Sequence, residues 1–352
     1  MQTTLLTNDI TRILDEDLPW DRLSGQRILV TGASGVIGSY LVRTLLTLNS
    51  KKVTSEPLQV VAMVRDLSRG KKAFQDLAHD SALEFLEWDL SRIAVPPIAD
   101  CAYILHAASK ASPRFYSSDP IGTLMPNAVG TAGLLQALTQ NNDARGFLFI
   151  SSSEVYGSVN GDTKLKETDV GVLDPADLRS CYAESKRLGE TLCVGWNKQF
   201  NLPTYIVRLF HTYGPGFLPE DGRVFADFTF DVLAGKNIIM KSDGSARRAF
   251  CYVSDAIAGI FTVLLKGHVG IPYNVANPDG ELSVLELAQL LVSLYPEKNI
   301  HIETTPPARD AAASKISRLV PDVSRIQELG WRADISPRNG FKLTIDSYER
   351  QK

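Results

Sequence analysis

Only four cysteines occur in the 352 residues, Cys101, Cys181, Cys193 and Cys251, and none stands in a Cys-x-x-Cys or Cys/His ligand spacing. A zinc site is therefore not expected, and the thiols read as reduced structural residues. There is no surplus of either charge: 37 basic and 40 acidic residues leave a net charge of -3, with the basic ones spread along the chain. That excludes a basic field for nucleic acid or for a membrane surface. No apolar run exceeds strand length, and the first residues are polar and acidic (Asn8, Asp9, Asp15, Glu16, Asp17). Neither a signal peptide nor a membrane span is expected, which gives a cytoplasmic address. Internal repeats and low-complexity linkers are missing too.

What is present is an ordinary globular composition, 44% apolar, in a chain long enough for a nucleotide-binding domain of roughly 200 residues plus a smaller second lobe. Strand-like runs at Ile28–Val30, Gln59–Val64, Tyr103–His106, Gly146–Ile150 and Thr204–Leu209 alternate with helical segments. Alternation of this kind predicts an α/β fold, a doubly wound parallel sheet of Rossmann type. From about Gly214 turn residues become frequent, with amphipathic pieces at Val224–Leu233 and Val284–Leu294. The expected organisation is a nucleotide domain over 25–213, with a return segment near 250–266, and a smaller α+β substrate lobe over 214–352. Residues 1–24 precede the first strand as an extension, in which Thr7–Leu18 reads as one short capping helix without chemistry.

The stretch Thr31-Gly32-Ala33-Ser34-Gly35-Val36-Ile37-Gly38 joins the first strand to a helix. Backbone N–H groups and the helix dipole there face the pyrophosphate of a dinucleotide. Gly32 serves the sharp turn, Gly35 the close approach of the phosphates and Gly38 the packing of helix on strand. Ser34, Val36 and Ile37 complete the cradle.

Tyr182 and Lys186 stand four apart in a helical context, on one face. An ammonium beside a phenol favours the phenolate, so a lowered Tyr182 pKa is expected and with it a base for a sugar hydroxyl. The third group, Ser152-Ser153-Glu154, lies where the strand Gly146–Ile150 ends, and active groups of open α/β sheets gather at strand carboxyl ends. Its bland alternative is a serine-rich turn that caps the next element.

These three groups, with His106-Ala107-Ala108-Ser109, Arg208-Leu209-Phe210-His211-Thr212-Tyr213-Gly214-Pro215, and Arg248-Ala249-Phe250 followed by Asp255, resemble the extended short-chain dehydrogenases/reductases that modify nucleotide sugars. The likeness covers about residues 25 to 345. It implies a bound nicotinamide cofactor, with further contacts at Asp89, Leu90, Ala107, Ala108 and Ser109. It implies a UDP- or dTDP-hexose substrate met by Tyr116, His211, Arg223 and Arg248, and a homodimer built through two helices per subunit.

Within that family Ala111 to Leu124, Ser152 to Gly157 and Glu220 to Val224 are similar to UDP-glucuronate decarboxylases. By that resemblance Ser152 bonds the C4 oxygen, Tyr182 is the base, Ser153 and Glu154 assist at C5 and C6, and Arg248 holds the diphosphate or the sugar acid. A C4 ketone makes the C6 carboxylate a β-keto acid, whose loss of CO2 leaves an enolate that donors stabilise. Ser153 stands where the dTDP-glucose 4,6-dehydratases carry an acid, which disfavours dehydration. Gly122 and His211 depart from the decarboxylase pattern, where a Lys and an Asn are expected. At the end of Gln59–Val64, Arg65 pairs with a 2′-phosphate, leaning toward NADP, or else is solvated while Asp66 takes the ribose and the cofactor is NAD. A 4-ketoreductase of a dTDP-4-keto-6-deoxyhexose, a 4-epimerase, and a cofactor-binding sensor or scaffold without activity are the alternatives.

Overall fold

A computed structural model describes residues 2–98, 100–159, 163–305 and 318–349. Its strands run in chain order β1 (Arg27–Thr31), β2 (Gln59–Val64), β3 (Leu83–Glu87), β4 (Tyr103–His106), β5 (Gly146–Ser152), β6 (Thr204–Leu209), β7 (His211–Tyr213), β8 (Ile238–Met240), β9 (Arg247–Tyr252), β10 (Pro272–Val275), β11 (Glu281–Ser283), β12 (Ile302–Thr304) and β13 (Arg318–Leu319). Seven of them form one parallel sheet in the order β10-β6-β5-β4-β1-β2-β3. The pleat sends successive side chains to opposite faces. Ile28 and Val30 of β1 join one buried cluster and Leu29 joins the other, so both faces are covered by helices.

The chain goes from β1 outward to β2 and β3, then returns to place β4 on the other side of β1. That reversal opens a crevice beyond the carboxyl ends of β1 and β4, at Thr31 and His106. The last sheet strand, β10, comes after the segment near 250–266 expected to return to this layer, and pairs with β6. Residues 211–213, placed by the sequence at the end of the nucleotide domain, form β7, which pairs with β9 outside the large sheet.

Beyond the large sheet, β9 is flanked by β11, β13 and β7, and β8 pairs with β12. Helices Val224–Leu233 and Val284–Leu294 fall where the apolar spacing placed them, the second opened by a capping box of Ser283 and Glu286. The N-terminal helix begins and ends earlier than the Thr7–Leu18 expected, and it is firmly held. It spans Gln2–Leu14 and is followed by a 3-10 turn at Trp20–Leu23. Ile10, Ile13 and Asp9 are buried, and Asp9 accepts hydrogen bonds from the hydroxyls of Tyr40 (2.8 Å) and Tyr252 (3.2 Å).

Candidate active site

The cofactor turn is built as its glycines demand. Gly32 has φ +61°, and a Cβ there would lie 2.7 Å from Ala108 Cα. A Cβ on Gly38 would lie 2.2 Å from the Gly32 carbonyl oxygen, so this glycine lets the helix sit against the turn itself. Gly35 is less tight: its Cβ would meet only the Gly32 carbonyl, at 3.2 Å. Gly35 is also the N-cap of helix Val36–Ser50 and offers no side chain to it, so the first helical N–H groups face the crevice without a side-chain cap. An anion suits that end, and a pyrophosphate fits the cradle that the missing Cβ atoms leave.

Residues distant in sequence brace this turn. Thr31 Oγ1 lies 2.7 Å from His106 Nδ1 and accepts the Ala108 N–H at 3.1 Å, which fixes Ala107 and Ala108 beside Gly32. His106 Nε2 reaches Thr131 Oγ1 (3.1 Å) and the Pro126 carbonyl (3.3 Å). Burial drives the His106 pKa down to about 3, with Lys186 adding to the fall, so the ring is neutral. Asp89 is engaged locally with the Ser91 N–H and hydroxyl, and Leu90 is buried. Asp66 caps helix Leu67–Ala73 through the Arg69 N–H, while Arg65 is exposed.

Strand β5 delivers the serines. Ser151 donates to Glu190 (2.6 Å), which is gripped through both oxygens by Arg208 at 2.9 and 2.7 Å. This buried ion pair holds β5, β6 and helix Cys181–Phe200 in register; deleting one partner of such a pair costs ~3–5 kcal/mol. Ser152 accepts the Glu154 N–H at 3.2 Å and so caps the 3-10 turn Ser153–Tyr156. The same hydroxyl also faces Tyr182. Ser153 is buried, and Glu154 is partly exposed.

Tyr182 and Lys186 are both buried on helix Cys181–Phe200. Lys186 Nζ donates to the Ile150 carbonyl at 2.6 Å and lies 4.7 Å from the Phe149 ring centre and 5.8 Å from that of Tyr182. The expected fall in the Tyr182 pKa does not occur. Burial raises it to about 12, against the opposing pull of the Ser152 hydroxyl, and Glu154 adds to the rise. Burial also lowers Lys186 to about 7, with Glu190 opposing. Desolvation also outweighs the charge of Arg223, which pulls the Tyr182 pKa down, because a buried phenolate loses more hydration than one distant cation returns.

Tyr116 stacks on Tyr182 with ring centres 5.1 Å apart. Glu154 raises the pKa of both phenols and opposes the fall at Arg248, which puts its carboxylate among them. Arg223, held by Asp221 at 2.5 and 2.8 Å, and Arg248 both depress His211, whose pKa burial takes down to about 3. Tyr116, His211, Arg223 and Arg248 therefore gather around Glu154 and Tyr182. Three neighbours escaped the sequence reading. Asn127 donates to Ser185 at 3.0 Å beneath Tyr182, Glu190 anchors Ser151, and Arg179 lies over Tyr116 with 5.9 Å from its guanidinium carbon to the ring centre. Only Arg179 carried a signal, three residues before Tyr182.

The four cysteines are free, and among the described residues no three His, Cys, Asp or Glu side chains gather as metal ligands. No described helix is long and apolar enough to cross a membrane.

Residues 28–276 match the model of the NAD dependent epimerase/dehydratase family. The chain belongs to that family. It is 34% identical over 332 residues to UDP-glucuronic acid decarboxylase 6 of Arabidopsis thaliana, covering 92% of this chain and 89% of that one. It is 33% identical over 327 residues to UDP-glucuronic acid decarboxylase 1 of Danio rerio, covering 93% and 73%. Among solved structures, UDP-glucuronic acid 4-epimerase from Bacillus cereus in complex with UDP-glucuronic acid and NAD superposes with a TM-score of 0.77 at 24% identity, over 93% of this chain and 100% of that one. DesIV, a dTDP-glucose 4,6-dehydratase from Streptomyces venezuelae with NAD and TYD bound, gives 0.76 at 24% identity over 92% and 97%. The fold is shared with both. Membership makes the protein an extended short-chain dehydrogenase/reductase, an NAD-dependent enzyme that modifies nucleotide sugars.

Proposed function

We propose that the protein decarboxylates UDP-glucuronate to a UDP-pentose. The observation that carries this reading is the grouping of Ser152, Tyr182 and Glu154 beneath Arg223 and Arg248, in a chain a third identical to UDP-glucuronic acid decarboxylases over most of its length. Gly32, Gly35, Gly38 and the uncapped helix end would hold the cofactor pyrophosphate, with Ala107, Ala108 and Ser109 along the crevice. A nicotinamide, when bound, takes the hydride from C4 and returns it.

Ser152 donates to the C4 oxygen while Tyr182 accepts its proton. The resulting C4 ketone lets the C5–C6 bond break, CO2 leaves, and the electron pair remains as an enolate between C5 and the C4 oxygen. Ser152 and Tyr182 then stabilise that oxygen. Glu154, partly exposed, lies beside them to pass a proton from solvent to C5, and Tyr182 gives its proton back as C4 is reduced. The base forms only as Tyr182 itself loses its proton, since burial keeps the phenol protonated at neutral pH.

For the cofactor we read NAD. A 2′-phosphate beside Arg65 would also meet Asp66, Asp89 and Asp119, the last two already within the field of that arginine. Only Arg65 favours NADP. We also read the protein as a homodimer through the helices Pro120–Met125 and Cys181–Phe200, whose Ile121, Leu188 and Val194 are exposed apolar residues. Light scattering at micromolar concentration tests that mass.

The decisive measurement gives the enzyme UDP-glucuronate. CO2 and a UDP-pentose should form with no net change in nicotinamide absorbance, and Glu154→Gln should lower the rate by about 10²-fold or more. Stoichiometric oxidation of reduced cofactor by a dTDP-4-keto-6-deoxyhexose, with no CO2 from UDP-glucuronate, would establish a ketoreductase instead.

A further inference from the structure

The two halves of the site come from distant segments: the cofactor turn follows β1, and Tyr182 lies on the helix Cys181–Phe200. His106, the last residue of β4, is buried between them. Its neighbours fix which ring nitrogen carries the hydrogen. Thr131 Oγ1 gives its proton to the Asn127 carbonyl at 2.6 Å, and the Pro126 carbonyl can only accept. Both lie against His106 Nε2, at 3.1 and 3.3 Å, so Nε2 is the donor of the neutral ring. Nδ1 is then the acceptor, and Thr31 Oγ1 donates to it at 2.7 Å while itself accepting the Ala108 N–H. Each nitrogen therefore addresses a different half of the site.

On the Nε2 side the acceptors belong to the π-helical turn Pro126–Gly130 and to Thr131 directly after it. Such turns are rare departures from α-helical winding and gather at functional sites. Asn127 in this turn donates through Nδ2 to Ser185 Oγ at 3.0 Å, and Ser185 Oγ donates to the Tyr182 carbonyl at 2.8 Å. Asn127, Thr131 and Ser185 are buried, so water does not replace these bonds when one is lost. We propose that His106 is a positioning residue that fixes the cofactor turn and the catalytic helix against each other: Nδ1 sets the turn through Thr31 and Ala108, and Nε2 sets Tyr182 through the π turn, Asn127 and Ser185. Hydride and proton must leave one C4–OH group together, so the separation of the two halves is part of the chemistry. The inference rests on the reading of Tyr182 as the base, and not on which bond breaks after C4 is oxidised.

Two substitutions separate the nitrogens, with NAD affinity and kcat at saturating NAD as the readouts. His106→Asn keeps a polar atom where Nδ1 stands and loses the reach of Nε2, so kcat should fall about 10-fold or more while NAD affinity stays within about threefold. His106→Gln places an amide N–H where Nε2 stands and loses the Thr31 bond, so NAD affinity should fall about 3- to 10-fold while kcat stays within about threefold. Thr31→Val and Ser185→Ala cut the path at its two ends without touching the ring: the first should weaken NAD, and the second should lower kcat. Losses of kcat and NAD affinity in the same proportion in both His106 variants would make the ring a general packing element and overturn the assignment. So would a pair of variants with both quantities unchanged. Should the His106 variants fail to fold, the two end variants decide by the same split. Turnover is followed with whichever of UDP-glucuronate, UDP-glucose and dTDP-glucose the parent accepts, so an absence of CO2 rejects the decarboxylase and leaves the test of His106 standing.

Discussion

The ring of Tyr116 lies against the ring of Tyr182, with centres 5.1 Å apart and planes 11° from parallel. Tyr116 is itself fixed, since its hydroxyl donates to the Ala111 carbonyl at 3.1 Å. The phenol proposed to handle the substrate proton is therefore oriented from the side by a second aromatic ring, and from its own helix by the backbone.

Removal of that wall should misplace the base without destroying it. Tyr116→Leu is expected to lower kcat by about 10-fold or more with little change in cofactor affinity, since small misplacements of a catalytic group are costly. Tyr116→Phe keeps the ring and should retain most activity. Equal losses in the two variants would mean that the hydroxyl matters and the stacking does not.

The pH profile reports the Tyr182/Lys186 pair. Burial depresses Lys186 to about 7 and raises Tyr182 to about 12, so Lys186 sheds its proton near neutrality while the phenol keeps its own. Activity should rise with pH from 6 to 9, because the phenolate fraction grows as pH approaches the raised Tyr182 value. In Lys186→Met kcat at pH 7 should fall by at least 10²-fold. A parent profile flat from pH 6 to 9 would contradict this.

Cofactor choice tests the surroundings of Arg65. NAD should bind at least tenfold tighter than NADP, because Asp66, Asp89 and Asp119 repel a 2′-phosphate that one exposed arginine attracts. Arg65→Ala should weaken NADP further and leave NAD nearly unchanged. Fluorescence titration of the cofactor-free protein with both dinucleotides gives the ratio, and a preference for NADP in the parent would reverse the assignment.

Asp9 should make the stability of the N-terminal helix pH-dependent. Burial raises its pKa from 3.8 to about 6, against the hydroxyls of Tyr40 and Tyr252. Between those values the folded protein holds a proton that the unfolded chain has released. Stability therefore falls as pH rises through the window, by up to ~3 kcal/mol. Asn accepts the same hydroxyls without a charge. Asp9→Asn should match the parent Tm at pH 4 and exceed it at pH 7.5; a Tm difference constant across that range would show that Asp9 does not titrate in the window.

Local pattern carried the fold. Five sheet strands are apolar runs buried on both faces, and their periodicity is a property of a few consecutive residues. Two strands escaped for the same reason. Leu83–Glu87 is only partly buried at the sheet edge, and Pro272–Val275 is four residues long and starts with proline. Helix spacing alone makes Tyr182 and Lys186 neighbours, and the strand-turn-helix context assigns Gly32 and Gly38 their work.

What the sequence determined by itself is therefore what short-range geometry dictates: the parallel α/β sheet, the dinucleotide turn, the Tyr182/Lys186 face and the serines at the end of β5. Tertiary structure alone decided how those groups are charged and what surrounds them. It carried Arg179, Arg223 and Arg248 from three separate segments to Glu154, and Asp9 to Tyr40 and Tyr252. It also set the Tyr182 pKa against the direction that its neighbour Lys186 suggests, because desolvation sums over every group packed around a side chain, and most of those groups are remote in sequence.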